Sequence, residues 1–352
     1  MENNSTLENV LTKNINDIYY QNINLLPPTL RMASGPDTRF VYPSSINLPI
    51  RANGTNPYNN GVYLIRNVDG PKAFSYNFTL AINKSSRKGF EFSASYNYGI
   101  SRVINEAQSS TSNSQWSSME TVNGRNYLTR TESDNSGGHR IFSYVSQKIN
   151  YFKKKMSTTI AFTYTGQSGA PFSYVYSGQA VRDGINFNDL VYIPTASELQ
   201  AMTFLDLTSN GVTYNAQTQK DAFEQFIQKD KYLSKHRGAY AERNSNRTPF
   251  TQVVDMKITQ AFNLKLGNST YSAEIGYSMF NFTNFLNRGW GRQFVVNNDN
   301  YSLLNFSYTS ATNLTPRYTF NPTTPTAPTV YQRFNPSYTA RWLSQLEFRV
   351  RF

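Results

Sequence analysis

FEFSASYNYGI, residues Phe90–Ile100, decides the fold. Phe90, Phe92, Ala94, Tyr96, Tyr98 and Ile100 fall on one side of an extended chain, and Glu91, Ser93, Ser95, Asn97 and Gly99 on the other. Side chains alternate faces along a strand, so this period of two is a strand with one apolar and one polar side. A helix would scatter the same apolar positions around its circumference.

The pattern recurs on both sides of this segment. Upstream, Tyr76, Phe78, Leu80 and Ile82 oppose Asn77, Thr79 and Ala81. Downstream, Thr158, Ile160, Phe162 and Tyr164 alternate with Ser157, Thr159, Ala161 and Thr163. Val254, Met256, Ile258, Phe262 and Leu264 then oppose Asp255, Lys257, Thr259, Ala261 and Asn263, broken on the apolar side only by Gln260. Tyr271, Ala273, Ile275, Tyr277 and Met279 oppose Ser272, Glu274, Gly276 and Ser278. The chain closes on LEFRVRF, with Leu346, Phe348, Val350 and Phe352 facing away from Glu347, Arg349 and Arg351.

These segments predict strands over 6–20, 71–84, 88–103, 139–152, 155–167, 250–265, 269–284 and 338–352. Soluble antiparallel sandwiches also alternate. Their strands, however, are usually about five or six residues long, whereas these match a tilted membrane crossing of about ten. The links between them also alternate in length. Short turns are expected at Ser85–Arg87, at Lys153 and Lys154 and at Leu266–Asn268, and long excursions at 21–70, 104–138, 168–249 and 285–337. Short turns at one end and long loops at the other are the connectivity of a transmembrane barrel. The expected fold is all-β, an antiparallel transmembrane β-barrel wall with long extracellular loops that hold short helices.

Composition agrees. Only 38% of residues are apolar, yet 15% are aromatic, with 25 Tyr and 24 Phe, which suits a protein coated with rings. The net charge of +12 would suit nucleic acid. The basic residues are dispersed, though, and no zinc-finger, helix-turn-helix or RNA-recognition pattern accompanies them, so no nucleic-acid partner is expected. Lys153, Lys154 and Lys155 form the densest run and read as a solvated turn. With no cysteine, disulfides and thiolate chemistry are excluded. No apolar run reaches the length of a transmembrane helix. MENNSTLENV lacks the features of a secretory signal, so residue 1 is not expected to be the natural beginning of an exported protein.

In the loops, a helix is expected from Thr218, with Asp221 three positions on, an apolar face of Ala222, Phe223, Phe226 and Ile227, and Gly238 as its stop. Thr195 followed by Glu198 predicts a second, short helix. The segments 104–138 and 321–329, rich in Ser, Asn, Thr and Pro, read as surface loop or partly disordered chain.

No catalytic constellation appears, and no enzyme activity, cofactor or metal is expected. His139 and His236 each stand beside an arginine, without a second ligand at metal or triad spacing. No glycine-rich turn leads into Lys-Ser or Lys-Thr. Asp183, Asn186, Asn188 and Asp189 are oxygen-rich but lack the known calcium-loop spacing, and read as a turn.

The ending Leu346, Phe348, Val350, Phe352 resembles the signal by which the barrel-assembly machinery recognises its clients. More broadly, TGQSGAPFSYVYSG (165–178), NDLVYIP (188–194), DAFEQFIQKDKYLSKHRGAYAERNSNRTPF (221–250), VVDMKITQAFNL (253–264) and EIGYSMFNFTNFLNRGWG (274–291) resemble the C-terminal barrel portion of TonB-dependent outer-membrane receptors of the Oar-like and SusC-like, Bacteroidetes-type branch. The resemblance implies a bacterial outer-membrane location, lipid around a barrel of about 22 strands, and energised uptake of a small ligand or oligomer through the TonB complex. Residues 1–352 would then be about eight membrane strands, without the plug, the TonB-contacting segment and the signal peptide, which a parent protein would supply. Ligand contacts are expected in the loops and upper lumen, at Tyr174, Tyr176, Trp290 and Arg292. The alternatives are a complete eight-stranded structural or adhesive barrel, closed by pairing 6–20 with 338–352, and a secreted carbohydrate-binding sandwich.

Overall fold

The computed structural model describes residues 18–22, 27–43, 63–68, 70–266, 269–296, 300–324, 332–333 and 341–351. The strands that matter below are, in chain order, β1 (Ile18–Asn22), β2 (Tyr63–Asn67), β3 (Phe74–Ser85), β4 (Phe90–Val103), β5 (Gly138–Tyr151) and β6 (Met156–Gln167). They continue with β7 (Pro171–Ser177), β8 (Asn246–Arg247), β9 (Thr251–Leu266), β10 (Ser269–Phe280), β11 (Asn300–Tyr308), β12 (Pro316–Thr319) and β13 (Leu343–Arg351). The helices are α1 (Ser112–Ser117), α2 (Ala196–Ala201), α3 (Ala216–Lys229) and α4 (Phe282–Leu286).

The long alternating segments form one antiparallel sheet, ordered β13-β10-β9-β6-β5-β4-β3. Each strand lies within a few residues of the expected range, because period two is a local signal that tertiary contacts reinforce. The sheet is open, with β3 and β13 at its edges, so the chain is all-β and this sheet antiparallel, without a closed barrel among the described residues. The expected strand at 6–20 behaves differently: its described part lies in β1, which pairs with β2 (Ile18↔Asn67 to Asn22↔Tyr63) and not with β13. The rest of that range lies outside the described residues.

All short links fall at one end of the sheet: Ser86–Gly89, Phe152–Lys155 and 267–268. Gly89 has φ +84°, and a Cβ there would meet the Lys148 carbonyl at 2.3 Å, so only glycine lets this turn lie against β5. In the next turn Phe152, Lys153 and Lys154 are all left-handed, with φ of 50°, 55° and 66°.

The long links gather at the other end as a layer with its own core. A four-stranded sheet, ordered β8-β7-β11-β12 with β7 and β11 parallel, carries Phe172, Tyr174, Tyr176, Leu304, Phe306 and Tyr318 into that core. Helix α3 covers it with Phe223, Phe226 and Ile227, all buried. Phe223 packs on Phe320 at 5.2 Å between ring centroids and Phe226 meets Tyr174 edge-on at 6.3 Å, within the range in which aromatic pairs add to area burial. Buried Gln219 is satisfied throughout: its amide donates to the carbonyls of Leu205 and Tyr214 at 2.7 and 2.9 Å and accepts from Phe320 N at 2.9 Å.

Two helix expectations are corrected here. α3 begins before Thr218, because Asn215, not Thr218, is its cap and accepts from Thr218 N at 2.9 Å. It stops at Lys229, before Gly238, because the Asp230 carboxylate accepts from Tyr232 N and Leu233 N at 2.8 Å each and turns the backbone away. α2 forms as expected, with the reciprocal Thr195 and Glu198 capping box complete. The Ser- and Asn-rich stretch 104–138 is not plain surface loop: it contains α1 and buries Trp116, Asn105 and Arg125. The part of 321–329 beyond Thr324 lies outside the described residues.

Candidate membrane interface

Residues paired across an antiparallel ladder share a face, so the register tells whether the separate alternations agree. They do. Ile82↔Ala94, Leu80↔Tyr96 and Phe78↔Tyr98 join β3 to β4. Tyr96↔Ile141 and Phe92↔Val145 continue to β5, and Val145↔Phe162 and Gln147↔Ile160 to β6. Ile160↔Ile258 and Phe162↔Met256 reach β9, Ile258↔Tyr277 reaches β10, and Tyr277↔Leu346 and Ile275↔Phe348 reach β13. A slip of one residue in any pair would have turned that strand over.

This apolar face is uncovered. Leu80 is 64% exposed, Ile82 62%, Leu346 74% and Phe348 70%, with Phe78, Ile149 and Ile275 also on the surface. Soluble monomers rarely expose a contiguous apolar patch beyond a few hundred Å², and these exposures leave no second layer of described residues over Leu80, Ile82, Leu346 or Phe348. Gln260, a polar interruption, is neutralised within the face: its Oε1 accepts from Tyr151 Oη at 2.8 Å and from Thr158 Oγ1 at 2.7 Å.

The opposite face is polar and internally bonded. Asn97 donates to Thr79 at 2.7 Å, Ser93 to Asn83 at 2.6 Å, and Lys257 bonds Glu347 at 2.5 Å. At its loop end, Asp255 accepts from Asn281 N at 2.7 Å, which ties α4 to β9.

The expected site residues do not converge. Leu346, Phe348 and Val350 lie on the exposed apolar face, and Phe352 lies outside the described residues. Tyr174 and Tyr176, expected as ligand contacts, are fully buried in the loop-layer core: Tyr174 donates to Asp230 at 2.6 Å and Tyr176 accepts from Tyr192 N at 3.1 Å. Their strand is buried on both faces, since Ser173 and Val175 are equally enclosed. Trp290 is 56% exposed beside α4, where Arg292 donates to the Arg288 carbonyl at 2.6 Å. His139 bonds Tyr96 at 2.7 Å and lies against Tyr98, and His236 stacks on Tyr232. Among the described residues no group of His, Asp or Glu could hold a metal ion.

Sequence reasoning missed the buried ion pairs of the loop layer. Arg243 bonds Glu106, Glu120 and Asp134, Arg39 pairs with Asp37, and Arg125 pairs with Asp183 while lying over the Trp116 ring at 4.4 Å. The oxygen-rich stretch at 183–189 is thus an ion-paired turn. Burial pushes the Asp189 carboxyl up to about 7, with the neighbouring Asp183 adding to the shift and Arg39 opposing it. Most of these partners lie too far apart in sequence for any local spacing to announce them. The layer also holds a cavity of about 280 Å³ lined by Met119, Tyr127, Leu128, Arg130, Ala241 and Arg243.

No family model, no curated protein and no solved structure matches the chain. The receptor resemblance therefore stands on the residues alone. No helix among the described residues is long and apolar enough to cross a membrane, which says nothing of strands.

Proposed function

We propose that this chain is part of the wall of a bacterial outer-membrane β-barrel, the C-terminal portion of a TonB-dependent receptor, and serves uptake of a nutrient or ligand and not catalysis. The observation that carries the reading is the exposed apolar face, continuous in register over seven strands and backed by a polar face. A strand of 12 residues such as β3 spans about 28 Å along the membrane normal when tilted about 45°, close to the hydrocarbon thickness. An uncovered apolar sheet face also counts against a sandwich, whose inner faces are packed together. The two open edges fit a wall completed by further strands.

The test is fractionation after expression with an added signal peptide. Recovery in the outer-membrane fraction, resistant to carbonate wash and released only by detergent, is the expected result. Recovery as a soluble periplasmic protein would end this reading and favour the sandwich.

A further inference from the structure

The chain carries 34 Lys and Arg against 22 Asp and Glu, and this excess is unevenly placed. In the loop layer, Arg39, Arg125 and Arg243 are buried against carboxylates. The short-turn end of the sheet is the reverse. Arg87 and Lys88 in the first turn, Lys148 at the end of β5, and Lys153, Lys154 and Lys155 in the second turn are all exposed, and none forms an ion pair with a described residue. The carboxylates at this end are Glu91 on β4 and Glu274 on β10, and Glu274 already lies within 3.9 Å of both Arg349 and Arg351.

These six cations are held together by the backbone. β4 and β5 are neighbours, so the two turns lie side by side. Lys148 N donates to the Gly89 carbonyl at 2.8 Å, and Gln147 Nε2 to the Lys88 carbonyl at 2.9 Å. The second turn runs through three successive left-handed residues, closed by Lys155 N donating to Phe152 O at 3.1 Å and by Asn263 N donating to Lys155 O at 2.7 Å. Left-handed backbone at non-glycine residues is uncommon and points from strain towards a use. Here it leaves Phe152 68% exposed beside three lysines, its ring edge-on at 5.5 Å to Tyr151, which lies at the margin of the apolar face. An aromatic ring bordering an apolar surface, with cations just beyond it, matches the boundary between acyl chains and phosphates.

We propose that the rim formed by the turns Ser86–Gly89 and Phe152–Lys155 binds the anionic headgroups of phospholipids in the leaflet at the short-turn end. The proposal rests on the wall reading above. The apolar face enters hydrocarbon, and the six cations meet the phosphate layer where it ends. Attraction between exposed charges is screened beyond roughly 8 Å at physiological salt, so the preference is salt-sensitive while insertion of the face is not.

The test is flotation of the purified, detergent-refolded chain with vesicles of neutral phosphatidylcholine, or with about three parts in ten phosphatidylglycerol. The expected result is binding to both, with phosphatidylglycerol raising partition at least about tenfold at low salt and little at high salt. Lys153→Asn, Lys154→Asn and Lys155→Gln together should remove most of that preference and keep binding to neutral vesicles. Arg87→Gln with Lys88→Gln should do so independently, should the first set fail to fold. Lys229→Gln, Lys231→Gln and Lys235→Gln, an equal loss of charge on the loop layer, should leave the preference intact. Equal partition into both vesicle types, retention of the preference by both turn variants, or its loss in the loop-layer variant would overturn the proposal. So would its abolition by millimolar inorganic phosphate at constant ionic strength, which would assign the rim to free phosphate. Failure to bind neutral vesicles would instead sink the wall reading, and this proposal with it.

Discussion

Gln260 and Asp189 are both polar groups in unfavourable surroundings, answered in different ways. Gln260 sits among apolar neighbours and takes two hydroxyl hydrogen bonds, which removes most of the cost of an unpartnered amide oxygen. Asp189 accepts from Val181 N at 3.0 Å, yet burial and Asp183 raise its proton affinity. Its folded value of about 7 lies above the ordinary 3.8. The folded chain therefore holds more protons than the unfolded one between about pH 4 and 7, and stability falls as pH rises through that window. Asp189→Asn keeps the acceptor for Val181 N and should flatten this slope, seen as urea midpoints of the loop layer that no longer drop between pH 4.5 and 7.5. A slope unchanged from wild type would show that Asp189 titrates normally. None of this was legible in the sequence, where Asp183 and Asp189 looked like the two ends of one oxygen-rich turn and the facing arginines, Arg39 and Arg125, were far away.

At the scale of single elements, strands and short helices differ in how far sequence alone defines them. The long strands were readable because each carries its two faces in its own residues. α2 was readable because Thr195 and Glu198 satisfy each other within one turn. α3 was misread at both ends, since Asn215 and Thr218 are both credible caps and only the packing of Gln219, Phe223 and Phe226 fixes which turn is first. β7 was not foreseen at all, since 168–249 reads as one long excursion; both its faces are covered, and the cover comes from α3, β11 and β12. At the turn before β4, Gly89→Ala should cost at least about 1–3 kcal/mol, from positive φ and the approach of the Lys148 carbonyl. The loss would register as faster hydrogen exchange at Lys148 N and Ser86 N, and protection equal to wild type would count against the turn geometry.

The whole molecule divides into a sheet that exposes its apolar side and a loop layer that buries one. If hydrocarbon covers the sheet, a charge on its two faces should behave asymmetrically. Leu80→Arg should destabilise the inserted state by about 2–4 kcal/mol, as arginine does near a bilayer midplane. Ala81→Arg, one residue along and facing the other way, should cost far less. Equilibrium unfolding in bilayers measures both, and equal losses would remove the distinction between the faces.

The loop layer has a further consequence, one of timing. β7 and β11 lie side by side and parallel, yet Asn300 stands roughly a third of the chain beyond its neighbour Ser173. Pairings so distant along the chain form slowly, because loop-closure entropy is spent before any contact repays it. β9 and β10, a hairpin joined by a short link, have no such delay and lie between the two in sequence. The hairpins of the sheet are thus expected to form first, and the β7–β11 pairing that holds the loop layer together last.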